Sequence, residues 1–99
     1  MMGKYSFSDE AIQDLEEICE YLGRNNPKAA SQLFDKIRSK CKLVASFPSM
    51  GKSYGRLSKN LRGFVVEDYI IFYYPQEEEM EINITRIASG YRDLESLFA

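Results

Sequence analysis

The runs Leu61-Arg-Gly-Phe-Val-Val-Glu-Asp-Tyr-Ile-Ile-Phe-Tyr-Tyr-Pro75 and Met80-Glu-Ile-Asn-Ile-Thr-Arg-Ile-Ala88 decide the fold. β-Branched and aromatic residues dominate both, and such side chains fit a pleated, half-buried surface. Glu67-Asp68 marks one chain reversal and Pro75 to Glu79 a second. The spacing predicts a three-stranded antiparallel meander over roughly 62–67, 68–74 and 80–88. In the last run Met80, Ile82 and Ile84 share one face, with Glu81, Asn83 and Thr85 on the other. That period of two belongs to a strand with one wet face. The middle run is apolar on both faces (Ile70, Phe72, Tyr74; Tyr69, Ile71, Tyr73), which makes it a central strand covered on both sides.

Upstream, the sequence supplies the cover. Tyr5-Ser-Phe7 reads as a short first strand. Ser8 is an N-cap candidate, with Asp9 and Glu10 in the first turn where the helix dipole favours anions. Ile12, Leu15, Ile18, Cys19 and Leu22 repeat at helical spacing, Asp14, Glu16, Glu17 and Glu20 take the remaining faces, and Gly23 is the expected stop. Asn26-Pro27 restarts a helix whose stripe is Ala30, Leu33, Phe34, Ile37, Cys41 and Val44, ending near Ser46 before Phe47-Pro48. So short a link makes the two helices an antiparallel hairpin whose apolar face packs on the sheet. From Phe47 to Asn60 the composition is that of a basic loop. Leu94, Leu97 and Phe98 suggest a short C-terminal helix or turn. Ninety-nine residues without repeats or linkers make a single domain, 1–99, of class α+β.

The charge pattern narrows function. A net charge of −2 argues against a general polyanion binder. Lys36 to Val66 nevertheless contains no acid and eight basic residues, while acids gather in Asp9–Glu20 and Glu77–Glu81. The basic middle is either a solvated surface or a docking surface for an acidic partner. Two separated cysteines, Cys19 and Cys41, sit on apolar stripes and suit a reducing cytoplasm. No leader and no membrane span is expected. With no histidine, neither a metal site nor a histidine base is expected, and no cofactor motif occurs. One constellation could serve RNA chemistry: Arg62, Arg86 and Tyr91, beside Arg56 and Lys59. Residue types alone favour a structural use, with Arg86 paired to Asp93 or Glu67 and Tyr91 packed on the sheet edge.

An ordered set of short signals adds a resemblance. It runs through Tyr5-x-Phe7-Ser8, Ala11, Asp14-Leu15, Tyr21-Leu22, Asn26-Pro27-x-Ala29-Ala30 and Phe47-Pro48-x-Met50-Gly51. It continues through Asn60-Leu61-Arg62, Tyr69-x-Ile71-Phe72-Tyr73, Ile82-x-Ile84-x-Arg86-Ile87 and Gly90-x-Arg92-Asp93-Leu94. In this order the chain resembles ParE-type toxins of the RelE/ParE superfamily, the plasmid-stabilising, growth-inhibiting halves of type II toxin–antitoxin systems. The resemblance implies a β-α-α-β-β-β fold, with the helical hairpin on a small antiparallel sheet. It implies a cytoplasmic toxin with a cognate antitoxin, no membrane association and no sequence-specific DNA binding of its own. ParE-like members are taken to inhibit DNA gyrase by binding, which makes Lys52, Arg56, Lys59, Arg92, Leu97 and Phe98 the candidate target-binding residues here. RelE-like members cleave messenger RNA in the ribosome, and Arg62, Arg86 and Tyr91 match positions they use. Ser89 stands where many members of both branches carry histidine, which argues against the nuclease.

Overall fold

The computed structural model describes residues 3–79, 81–90 and 93–98. The elements run β1 (Lys4–Phe7), α1 (Asp9–Asn25), α2 (Pro27–Ser46), a 3-10 turn (Pro48–Met50) and β2 (Lys52–Ser53). They continue with β3 (Arg62–Val66), β4 (Tyr69–Gln76), a second 3-10 turn (Glu77–Glu79), β5 (Glu81–Ser89) and α3 (Leu94–Leu97). One five-stranded sheet has the order β1-β5-β4-β3-β2. The expected α+β architecture and the antiparallel β3–β4–β5 meander are present. The sheet as a whole is mixed, because β1 lies parallel to β5, with Lys4 opposite Glu81 and Phe7 opposite Ile84. The Phe47–Asn60 stretch contains an edge strand, β2, which pairs Lys52 with Gly63 and Ser53 with Arg62.

Local chemistry sets the boundaries. Ser8 caps α1, its Oγ accepting from the Ala11 N–H. α1 does not stop at Gly23 but continues to Asn25. Asn26 makes the hairpin turn by itself: its N–H closes α1 on the Leu22 carbonyl, and its Oδ1 accepts from the Ala29 N–H to open α2. β3 stops at Val66 because Glu67 adopts φ 54°, the left-handed region. β4 runs past Pro75 to Gln76, although proline cannot donate to a ladder. The β3 ladder ends at the Arg62–Tyr73 pair, so Pro75 sits where β4 is an edge on that side.

The core has two parts, one on each face of the sheet. The larger lies under the helices and joins Leu33, Ile37, Cys41 and Val44 to Ile71, Tyr73, Ile82, Ile84 and Ile87. The smaller lies on the opposite face around Phe72, Ile70, Leu61 and Tyr54, with Leu57, Leu97 and Phe98 packed against it. β4 is thus central and covered twice, as its composition requires. The alternation of β5 slips by one residue at Thr85, where Phe72 pairs with Arg86 but Tyr73 pairs with Ile84. This bulge puts Ile87 in the same cluster as Ile84.

Three side-chain expectations change. Ile12 and Phe34 were placed on the sheet-facing stripes, yet they are 44% and 39% exposed. The buried stripe of α2 is Leu33, Ile37, Cys41 and Val44, and a residue about 100° further round the helix falls on the hairpin's flank. Asp14 was placed on a solvated face, yet it is only 8% exposed.

Candidate functional site

The two arginines of the nuclease constellation are both held by other parts of the fold. Arg86 donates from Nε and Nη2 to the two oxygens of Asp14, at 2.8 and 3.1 Å. Asp14 Oδ2 also accepts from the Ile87 N–H at 3.0 Å. The expected pairing of Arg86 with Asp93 or Glu67 is therefore replaced. Glu67 instead takes Lys36 at 2.8 Å, and Asp93 caps α3 through the Glu95 N–H and the Ser96 hydroxyl. The reason is topological. β1 covers β5 only from Glu81 to Ile84, so the rest of that β5 edge has backbone groups to satisfy. Ser8 Oγ donates to the Thr85 carbonyl at 2.8 Å, and Asp14 takes the Ile87 N–H. A carboxylate drawn under the helix needs a counter-charge, which Arg86 supplies. The Asp14 carboxylate in turn raises the Arg86 pKa.

Arg62 has a comparable task at the other end of the meander. Its Nε donates to the Gly51 carbonyl at 3.0 Å and its Nη2 to the Ser49 carbonyl at 2.9 Å. Tyr73 completes the clamp, its hydroxyl donating to the Pro48 carbonyl at 2.6 Å and accepting from the Gly51 N–H at 3.1 Å. A β-carbon on Gly51 would meet the Tyr73 hydroxyl at 2.3 Å, so only glycine fits there. An open depression of about 380 Å³ beside Arg62 is lined by Ser49, Asn60, Pro75 and Glu78. Glu78 puts a carboxylate in the lining of this depression, a charge that repels an anion entering it.

Basic loop and C-terminal tail meet on the far face of the sheet. Lys52 lies over the Tyr54 ring, with Nζ 5.5 Å from its centroid. Arg56 reaches Glu95 at 3.8 Å, and both are exposed. Lys59 is exposed. Leu97 and Phe98 are half-buried on the second cluster, and the Phe98 ring meets the Phe72 ring edge-on at 5.1 Å. Tyr91 and Arg92 lie outside the described residues. Among the described residues no group of three His, Cys, Asp or Glu could hold a metal ion, and no helix is long and apolar enough to cross a membrane.

Asp14 and Tyr73 are the residues whose tasks sequence reading missed. For Asp14 a signal existed, since Ala11, Asp14 and Ile18 share one helical face. Tyr73 looked like a core aromatic and is one, but with its hydroxyl used on a turn 25 residues away.

The fold has solved counterparts. A chain of the chromosomal ParDE toxin–antitoxin system of P. aeruginosa superposes with a TM-score of 0.71 at 19% identity, covering 89% of this chain and 96% of that one. A chain of the Mycobacterium tuberculosis RelBE2 toxin–antitoxin complex gives 0.66 at 15% identity, covering 90% and 99%. One from the intact E. coli RelBE complex gives 0.57 at 14% identity, covering 91% and 99%. No curated protein matches in sequence. The family model that matches describes the ParE toxin of the type II toxin–antitoxin system parDE, and it spans residues 5–94. With that match running from β1 into α3, the chain belongs to the ParE toxin family of type II toxin–antitoxin systems.

Proposed function

We propose that this toxin arrests growth by binding DNA gyrase and is neutralised by a cognate antitoxin. The observation that supports binding over RNA cleavage is the commitment of Arg62 and Arg86 to internal partners, two backbone carbonyls for one and a buried carboxylate for the other. An RNase needs its cations turned toward a phosphate. In the binding reading the contact surface is the loop and tail on the far sheet face, Lys52, Arg56 and Lys59 with Leu97 and Phe98, and Arg92, outside the described residues, belongs to the same tail in sequence. Loss of one rim cation there slows association, and loss of an apolar anchor costs on the order of 2 kcal/mol. The antitoxin reading draws on the family and on the solved counterparts, which come from toxin–antitoxin systems.

The alternative is a ribosome-dependent messenger RNA endoribonuclease using Arg62, Arg86 and Tyr91. Two assays on one preparation separate the readings. Gyrase supercoiling is inhibited, or cleaved DNA trapped, if the toxin is a gyrase binder. Messenger RNA cut on translating ribosomes, with gyrase untouched, sinks that reading.

A further inference from the structure

Tyr73 and Tyr74 follow one another on β4, so their side chains leave the sheet on opposite faces. Tyr73 belongs to the core under the helices, and Tyr74 packs against the cluster on the far face. Both hydroxyls nevertheless end on the same stretch of chain, residues 47–60. On the helix face the Tyr73 hydroxyl holds the entry of that loop, at Pro48 and at Gly51 beside Lys52. On the far face the Tyr74 hydroxyl holds its exit, 2.6 Å from the hydroxyl of Ser58 beside Lys59. Between these two straps the loop is bonded to itself. The Tyr54 carbonyl accepts from the Leu57 and Ser58 N–H groups at 2.9 and 3.3 Å, and the Ser58 carbonyl accepts from the Leu61 N–H at 3.1 Å. The Tyr54 N–H closes the loop on the Leu61 carbonyl at 2.8 Å. Asn60 makes the return at φ 67°, a left-handed value that asparagine tolerates.

We infer that Tyr73 and Tyr74 are positioning residues for target binding: they hold the loop in the shape in which Lys52, Arg56 and Lys59 meet the target. The inference rests on the proposed use of this loop as the gyrase-contacting surface. A phenylalanine would fill the same space on either face of β4, but only a phenol reaches the loop with a hydrogen bond. A loop ordered on contact would lose its backbone and side-chain freedom at that moment, and the loss would weaken binding. Strapped at both ends, this loop has lost that freedom on folding instead. Two of its cations are steered as well, Lys52 by the Tyr54 ring and Arg56 by Glu95. The loop therefore docks as a preformed element with its charges already spaced.

Tyr74→Phe and Ser58→Ala remove the exit strap from its two ends, and neither changes a charge. Amide exchange at Leu57, Ser58 and Leu61 in the free toxin reads the loop. Titration onto DNA gyrase at several salt concentrations reads binding, at a temperature where circular dichroism shows every variant folded. Exchange at those three amides is expected to quicken. Gyrase affinity is expected to fall by about three- to tenfold in either variant, with little further loss in the double variant, because both lose the same bond. The salt dependence stays as it was, whereas Arg56→Ala flattens it. Unaltered exchange in Tyr74→Phe overturns the inference whatever gyrase does. Quicker exchange with undiminished affinity also overturns it, and if Arg56→Ala still weakens binding the loop remains the contact surface. Gyrase binding indifferent to Tyr74→Phe and Arg56→Ala alike removes that surface together with the inference.

Discussion

Asp14 and Arg86 show how a residue's type can mislead about its use. An arginine late in β5 reads as a phosphate ligand, and an aspartate in an acidic helix reads as solvent-facing. Together they close the open edge of β5. Asp14→Ala or Arg86→Ala leaves the other charge poorly compensated, and each is expected to cost about 2–3 kcal/mol in urea unfolding. A toxicity loss in Arg86→Ala therefore reports unfolding as readily as chemistry. Tyr91→Phe is the cleaner test, and a folded variant with full antitoxin affinity but no growth inhibition overturns the binding reading. Cys41 offers a pH prediction. Burial pushes its thiol from an ordinary 9.0 up to about 12, and it also raises the Tyr73 hydroxyl. The folded chain then keeps protons that the unfolded chain releases. Stability is full below pH 9 and falls as pH rises toward 12, by at most about 1.4 kcal/mol per unit for Cys41. Urea midpoints measured from pH 8 to 11 should decline, and Cys41→Val should flatten the slope. A pH-independent midpoint would contradict the assignment.

At the level of elements, α1 is bonded to the sheet as well as packed on it. Ser8 is at once the helix cap and a donor to the Thr85 carbonyl, and its own N–H reaches the Ile84 carbonyl at 2.8 Å. Ser8→Ala removes both side-chain bonds and should cost about 1–2 kcal/mol, more than an isolated cap. Amide exchange should rise first at Ala11, in the first turn of α1, whose N–H loses its acceptor. Exchange unchanged there would mean that the helix is held by packing alone. On the opposite face the described cover comes from the loop and the tail: Tyr54, Leu57 and Leu61, the Leu94 and Leu97 side chains of α3, the Phe98 ring, and a hydrogen bond of 2.6 Å between the Ser58 and Tyr74 hydroxyls.

For the molecule as a whole, two cores separated by one sheet make a domain with little surplus stability at this size. An antitoxin that binds only the folded toxin stabilises it by mass action, by about 2.7 kcal/mol at a free concentration of 100 Kd. For a domain of about this length that corresponds to a rise in Tm of roughly 10 °C or more. Thermal melts of the free toxin and the complex measure it. Equal Tm values at saturating antitoxin would show that the partner does not prefer the folded state.

The sequence by itself determined the helical hairpin, the meander and the doubly covered β4. These follow from periodicities of 3.6 and 2 and from capping residues, which act over a few positions. The family was legible too, because its signals keep their order along the chain. Tertiary structure alone decided the parallel seating of β1, the edge strand inside the basic loop, and the partners of Arg62, Arg86 and Asp14. Those partners lie 11 to 73 residues apart. Arg86 had acids nearer in sequence, at Asp93 and Glu67, but the open edge of β5 drew Asp14 in beside Ile87. A choice of that kind is made by whichever backbone group would otherwise be buried unpaired, and only the assembled sheet shows which group that is.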